Sequence, residues 1–429
     1  MTATWRLVIA ALVALPPLMV LATAAVYPTD LIFPNQGDLN LYLVNARAFA
    51  SGQVPYRDFP FEYPPVALIP MVVPYLAWPF GPIDLDTYKW LFAGWEAALL
   101  LVLGLVLLRI VRLGGDASAE AQDLQGHSRP LRTGTRLVVL TAGALLAITF
   151  RFDLFPALLM AVALWAALSG RPAATGVALG LGVLAKLFPV AILPALAIPW
   201  LLPFEPRGLV RMGSWFGATI ALGLAPFLAL AGSENTFQFL RYNAERGLEV
   251  ESIGGGLAVL GGLLTGQPIE YNFRFSSVNA DGPVADAWLA LLPLMTIVGF
   301  GLVAWLGWRR IRSERARFDR VRPSTIVMLA TICVLVLLAT AKVYSIQYVV
   351  WLVPLAALLG GRQFWLAAAI VALTIPIHPL LFAGLVNQEA LPILVLNARN
   401  ALLIGLLAWM LWRVARPAGL EPTTFRSAT

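Results

Sequence analysis

Three carboxylates, Asp38, Asp58 and Glu62, and three tyrosines, Tyr42, Tyr56 and Tyr63, fall in one short stretch soon after the first apolar run. A carboxylate at a membrane surface loses part of its hydration, its proton affinity rises, and it becomes a better acceptor of a hydroxyl proton. Asp38 could serve in this way as a general base. It also follows Gly37 and precedes a helix-period pattern (Leu39, Tyr42, Leu43, Ala46, Phe49), so it equally fits a helix N-cap worth about 1 kcal/mol. The two readings are compatible.

Cations recur where an apolar chain should not carry them. Arg151-Phe152-Asp153-Leu154-Phe155-Pro156 and Lys186-Leu187-Phe188-Pro189 each place one shortly before a Phe-Pro pair, at the outer turn of a short apolar hairpin. Such side chains either snorkel toward water or hold the anionic headgroup of a lipid substrate. Lys342, just before Tyr344-Ser345-Ile346-Gln347-Tyr348, stands at a third outer turn. Arg399, between Asn397 and Asn400, lies about 12 Å into its span at helical rise, and a cation at that depth is expected to face the bundle interior. Glu96 also lies within a span. The segment from Arg241 to Ser252 carries Arg246, Glu249 and Glu251 in alternating charge, which suits a solvated helix. Gly254-Gly255-Gly256 follows it without the strand and helix context of a nucleotide-binding loop. Asp84-Leu85-Asp86 has the D-x-D spacing of metal-dependent sugar transferases, yet so short a pattern serves as well for a juxtamembrane cap, and no metal is assigned.

The elements that must position these residues follow from composition. Only 12% of the side chains are charged, against about 25% in a soluble domain, 59% are hydrophobic, and the mean hydropathy is +0.80. A water-soluble protein is excluded. The net charge of +7 reports topology rather than nucleic-acid binding, because the arginines cluster in short loops between apolar runs. Single Cys333 rules out an intramolecular disulfide and a cysteine metal cluster, and His127 and His378 are too few for a histidine site. No cofactor is implied.

We expect an all-α polytopic membrane protein, one domain over 1–429, with about twelve transmembrane helices at roughly 20 residues per crossing. Arg6 and the run Leu7 to Val26 resemble a signal peptide with a small-residue site at Ala22-Thr23-Ala24, but the run exceeds an ordinary h-region and reads as a retained span. Residues 27–87 form a large outer loop with short juxtamembrane helices at 39–50 and 65–79. Were 64–80 a crossing, the arginine-bearing loop 112–136 would face outward, against the positive-inside rule. Spans follow at 88–111, in two compressed hairpins at 137–168 and 174–203, and at 212–231, 285–308, 324–341, 346–360, 363–385 and 391–412. A second outer loop covers 232–284. The loop 309–323, with seven arginines between Arg309 and Arg322, and the tail 414–429 are cytoplasmic, as are both termini. The stretch 113–135 has the composition of a flexible loop. Localisation is the cell membrane, with the chemistry on the extracytoplasmic side.

In chain order, the acid after the first span, Gly52-Gln53-Val54-Pro55-Tyr56-Arg57-Asp58, Glu62-Tyr63-Pro64-Pro65, Arg151-Phe152-Asp153, Lys186-Leu187-Phe188-Pro189, Arg246-Gly247-Leu248 with Glu251-Ser252, and Tyr344-Ser345-Ile346-Gln347-Tyr348 with Trp351 form a recognisable series. Together they resemble the GT-C class of membrane glycosyltransferases, and within it glycosyltransferase family 87, which includes polyprenyl-phosphate-mannose-dependent mannosyltransferases. The resemblance implies a GT-C-like bundle and an inverting, metal-independent transfer of a hexose from a polyprenyl-phosphate donor to a lipid or glycan acceptor. Asp38 would be the catalytic base. Tyr56, Glu62, Tyr63, Arg151, Asp153, Lys186, Arg246, Glu251, Lys342, Gln347 and Arg399 would contact substrate. Better-known members often carry a Gly-polar pair where this chain has Arg151-Phe152-Asp153, so the resemblance leaves sugar and acceptor open. Taken by themselves, the intramembrane charges and broken hairpins also suit a secondary transporter or a flippase for a lipid-linked or anionic substrate. A lipid-binding subunit is a third reading, and leaves the Asp38 and Glu62 loop unexplained.

Overall fold

A chain that enters hydrocarbon must satisfy its own backbone, which leaves the helix as the local solution for each apolar run. The computed structural model describes residues 3–27, 37–113, 128–201 and 206–416. The expectations about His127, the centre of the 112–136 loop and the tail beyond Arg416 therefore lie outside the described residues. The first half comprises α1 (Ala3–Val26), α2 (Asp38–Ala50), α3 (Leu68–Leu76), α4 (Leu85–Leu113), α5 (Ser128–Gly143), α6 (Leu145–Phe150), α7 (Leu154–Leu168), α8 (Pro172–Ala185) and α9 (Leu193–Leu201). Next come α10 (Pro206–Thr236), α11 (Gln238–Glu245), β1 (Leu248–Glu249), α12 (Ile253–Thr265), β2 (Tyr271–Arg274) and β3 (Ser277–Ala280). The chain closes with α13 (Pro283–Phe318), α14 (Pro323–Thr340), α15 (Val353–Ala356), α16 (Gly361–Ile375), α17 (Phe382–Val386) and α18 (Ala390–Ala415).

Among the described residues seven helices are long and apolar enough to cross a membrane: α1, α4, α10, α13, α14, α16 with the turn after it, and α18. The protein is an all-α, multi-pass membrane protein. The other segments read as spans are shorter or broken. The first hairpin leg is interrupted at Ala144, α7 and α8 have 15 and 14 residues, and the legs beginning at Phe188 and Ile346 open with 3-10 turns. Irregular backbone is tolerated there because protein surrounds it; Ile192, Val349 and Val350 have no exposed surface. α14 forms the centre of the bundle, with Leu329, Ile332, Cys333 and Leu335 fully enclosed.

Helix α8 approaches α10 through Gly176 and Gly180, four residues apart on one face. A Cβ on Gly176 would lie 2.2 Å from the Met212 carbonyl oxygen, and one on Gly180 would lie 2.9 Å from Thr219 Cβ. Small residues at this spacing let two membrane helices meet backbone to backbone. The contact matters because the C-terminal end of α8 carries Lys186.

Several boundaries differ from the sequence reading. Helix α5 starts at Ser128, inside the stretch expected to be flexible. Arg129, Arg132 and Arg136 share one helical face, while Gly134 packs against Leu12 of α1, so the segment is amphipathic and docked. The juxtamembrane helix expected to reach residue 79 stops at Leu76, since Pro79 disfavours helical geometry in the residue before it. The 241–252 segment is not one solvated helix. Helix α11 ends at Glu245, and β1 pairs antiparallel with β3, Leu248 opposite Ala280 and Glu249 opposite Asn279, in a small sheet of order β1-β3-β2. This strand draws Glu249 and Glu251 into the interior.

The face bearing α2 and α3 is anchored to the bundle by polar contacts. The Tyr88 hydroxyl donates to the Met71 carbonyl at 2.8 Å, Arg47 donates to the Ile83 carbonyl, and Asp84 Oδ1 accepts from Thr87 N at 2.8 Å. Asp84 thus caps α4.

Candidate active site

Asp38 is the first residue of α2 rather than its N-cap. Gly37 holds the cap position and no side chain caps the helix. The carboxylate is used differently: Asp38 Oδ2 lies 2.8 Å from Arg151 Nη1, with the aspartate side chain 31% exposed and the arginine 9%. Tyr42, one helical turn along α2, is buried beneath this pair. Its hydroxyl is pushed well above its usual range by burial and then by the charge of Asp38. Phe152 packs edge-on to Tyr42 and Tyr63, with centroids 5.4 and 5.1 Å away, and closes the floor.

Two of the cationic turns share one local build. α6 ends at Phe150 and α8 at Ala185, and the next residue, Arg151 (φ −132°, ψ 141°) or Lys186 (φ −161°, ψ 140°), is extended. Each cation leaves at the carbonyl end of a helix, where the macrodipole favours positive charge by about 0.3–1 kcal/mol. Lys186 Nζ donates to both carboxylate oxygens of Asp153 at 2.8 Å, and Trp351 Nε1 donates to Asp153 Oδ1 at 2.7 Å. Asp153 has no exposed surface, so its charge is balanced inside the protein. The Lys186 ammonium also lies over Phe152 and Tyr348, at 5.1 and 5.7 Å. A ladder of rings continues from there: Phe188 stacks on Trp351 at 4.1 Å, Trp351 on Tyr348 at 3.9 Å, and Tyr348 on Tyr344 at 6.2 Å.

Arg399 ends the ladder, its guanidinium 3.8 Å from the Tyr344 ring centre and donating to the Glu251 carbonyl. It faces the bundle interior, as its depth demands. Glu249 Oε2 accepts from Tyr344 N at 2.6 Å, Glu249 Oε1 accepts from Ser345 Oγ at 3.0 Å, and Arg246 Nη2 lies 4.0 Å from Oε1. Burial pushes the Glu249 carboxyl up. Burial, with the neighbouring Glu249 charge second, raises Glu251 to about 8. His378 Nδ1 stands 3.9 Å from Glu251 Oε2, and Arg151 and Asp38 are within electrostatic range of the same ring. The two groups of charges therefore meet at His378.

Glu62 sits beside the hydroxyls of Tyr63 and Tyr242 and within range of Arg246. Lys342 Nζ donates to the Ala244 carbonyl at 2.7 Å, and burial with Arg246 nearby lowers its pKa. Tyr56 is engaged elsewhere: its hydroxyl donates to the Tyr63 carbonyl at 2.6 Å and its ring packs on Phe61, Phe227 and Phe239. Gln347 is half-buried on the 3-10 turn. Asp58 is held by Arg57 and the Val54 amide, which lower its carboxyl to about 2. It is a poor base. Sequence reasoning missed His378, Glu249 and the ring ladder. The i, i+4, i+7 spacing of Tyr344, Tyr348 and Trp351 was the available signal for the ladder; His378 had none.

The structure of ArnT from Cupriavidus metallidurans bound to undecaprenyl phosphate is similar over 97% of this chain and 78% of that one, at 14% identity and a TM-score of 0.48. The same enzyme in its apo state is similar over 89% and 73%, at 14% identity and a TM-score of 0.43. No curated protein matches the chain. The family model for glycosyltransferase family 87 matches residues 61–340, a span that contains Glu62, Arg151, Lys186, Arg246 and Glu251 and begins after Asp38. A match across 280 of 429 residues, including the cationic turns and buried carboxylates just described, decides against a transporter: the chain belongs to glycosyltransferase family 87.

Proposed function

We propose that the protein transfers a hexose, with mannose the first candidate, from a polyprenyl-phosphate-linked donor to a hydroxyl of a lipid or glycan acceptor. Transfer takes place on the extracytoplasmic face, with inversion and without a metal. The observation that carries this reading is the Asp38–Arg151 pair, a partly exposed carboxylate and a nearly buried guanidinium 2.8 Å apart at the carbonyl end of a short helix. In the reaction Asp38 accepts the acceptor's hydroxyl proton as that oxygen bonds to the anomeric carbon. The bond from that carbon to the phosphate oxygen breaks, and its electron pair leaves with polyprenyl phosphate. Arg151 offsets the growing phosphate charge, an effect that amounts to a few kcal/mol when donors are preorganised in a dry site. Arg246 and Lys342 add positive field, while the Lys186–Asp153 pair fixes the turn beside Arg151. Glu62, Tyr63 and Glu251 hydrogen-bond sugar hydroxyls in this reading, and Arg399, which donates to the Glu251 carbonyl, holds that segment.

A lipid-linked donor suits the position of these cations at the ends of buried, shortened helices, where a prenyl chain can run into the bilayer at about 0.8 kcal/mol per buried methylene. Seven arginines in the 309–322 loop favour a cytoplasmic side for that loop and for the α18 terminus under the positive-inside rule, which leaves Asp38 on the opposite side. The test is transfer by purified protein from radiolabelled polyprenyl-phosphate-mannose, polyprenyl-phosphate-glucose and nucleotide sugars to candidate acceptors. Incorporation from a lipid-linked sugar alone is the expected result. Efficient transfer directly from a nucleotide sugar would overturn the donor assignment.

A further inference from the structure

At the end of the bundle away from Asp38, the last turns of α13 and α18 enclose a cleft of about 460 Å³. Its lining includes Trp308, Arg309, Arg310, Arg312, Ser313 and Arg416, and among the described residues no carboxylate lines it. Arg416 is 17 positions beyond Arg399, so the cleft lies about 25 Å along the helix axis from the candidate active site. It is a separate place, at the other end of the bundle.

One wall is rigid. Arg310 is buried, donates from Nε to Glu314 Oε1 at 2.9 Å and from Nη1 to the Arg416 carbonyl at 2.9 Å, so it ties α13 to the end of α18. Glu314 is itself engaged with the Arg322 amide and Thr325 Oγ1. Its charge is spent on the scaffold. Arg309 and Arg312 are exposed at the cleft. Depth decides what they meet. Trp305, Trp308 and Trp412 are all exposed on these same helices, and exposed tryptophans mark the headgroup level of a bilayer. The Arg309 guanidinium lies 4.9 Å from the Trp305 ring and that of Arg416 3.5 Å from the Trp412 ring, so cation and ring occupy one layer.

We infer that this cleft is a binding site for the headgroup of an anionic phospholipid, whose phosphodiester is held by Arg309 and Arg312 while its acyl chains lie along the apolar stretches of α13 and α18. Planar guanidinium groups match phosphate oxygens in paired hydrogen bonds, and basic pockets between membrane helices are suited to acidic headgroups. Bound there, the lipid joins two helices whose other ends carry Arg399 and the sheet that positions Glu249.

The test uses the full-length protein, delipidated in detergent, titrated with phosphatidylglycerol and phosphatidylcholine of equal acyl length and read by native mass spectrometry. Phosphatidylglycerol should be retained over phosphatidylcholine. Each basic residue near an anionic lipid contributes about 1 kcal/mol, roughly fivefold, so Arg309→Gln with Arg312→Gln should weaken phosphatidylglycerol binding about thirtyfold. Arg207→Gln with Arg362→Gln removes the same charge from exposed positions outside the cleft and should leave binding unchanged. Inorganic phosphate should not compete at millimolar concentration. Equal retention of the two lipids, equal loss from both double variants, or displacement by inorganic phosphate would each overturn the assignment. Helical content by circular dichroism shows whether the variants, both confined to exposed side chains, remain folded.

Discussion

Asp38 gains its chemical meaning from Arg151. In water the carboxylate of a helix's first residue is unremarkable; here a nearly buried guanidinium 2.8 Å away both holds it and marks where a phosphate is expected. Asp38→Asn keeps size and polarity but removes the proton acceptor, and general-base assistance is worth roughly 10² to 10⁴ in rate. Turnover of the purified variant should fall by at least about a hundredfold with donor binding retained. Near-normal turnover would shift the base to Glu62, since Asp58 is drawn down to about 2 by Arg57. Glu251 offers a pH-dependent test. Its folded-state carboxyl titrates near 8 against an ordinary 4.5, because burial and the Glu249 charge disfavour ionisation. Between those values the folded state keeps a proton that the unfolded state releases, so this residue makes stability fall as pH rises from about 4.5 to about 8, and no further above that. Thermal unfolding of Glu251→Gln should be flatter across this window than that of the parent protein, and an unchanged slope would remove Glu251 as its source.

At the scale of elements, the turns after α6 and α8 do the positioning. A helix that stops short leaves its carbonyl end inside the protein, and an extended cation both satisfies the dipole and projects into the space beyond. The Lys186 turn depends on how closely α8 packs on α10. Gly176→Ala should be strongly destabilising, because the new methyl meets the Met212 carbonyl, and overpacking of this kind costs about 1–3 kcal/mol or more. Gly213→Ala, where the added Cβ meets nothing within 4 Å, serves as the control. Melting temperature and transfer rate should fall together for the first variant and hold for the second. A Gly176→Ala protein with unchanged stability would mean that the two helices can separate without loss.

The whole molecule presents two unlike faces, one with Asp38, Arg151, Glu249 and Arg246 gathered in the neighbourhood of His378 and one with the arginine-rich end of α13. Their orientation across the membrane is testable by cysteine labelling on a Cys333→Ala background, a conservative change at a fully enclosed position. A cysteine at Arg241, exposed on the active-site face, should react with an impermeant reagent applied to intact cells. One at Arg320, exposed on the other face, should react only after the membrane is opened. Labelling of position 320 from outside would invert the topology and, with it, the side of the reaction.

Sequence alone determined the class of this protein, because hydropathy, helix length and arginine placement are local or nearly local properties and hydrocarbon admits few backbone solutions. It also marked Asp38, Arg151, Lys186 and Arg399, since charge in an apolar chain is costly and conspicuous. Their partners were decided only by tertiary structure. Asp38 with Arg151, Lys186 with Asp153 and Trp351, and Glu249 with the Tyr344 turn join positions up to 198 residues apart. No periodicity along the chain encodes such distances. The alternating charges of 241–252 looked like a solvated helix until β1 paired with β3 and carried two carboxylates inside. His378 was invisible for the same reason: a lone imidazole in an apolar run has no meaning until folding sets Glu251 beside it.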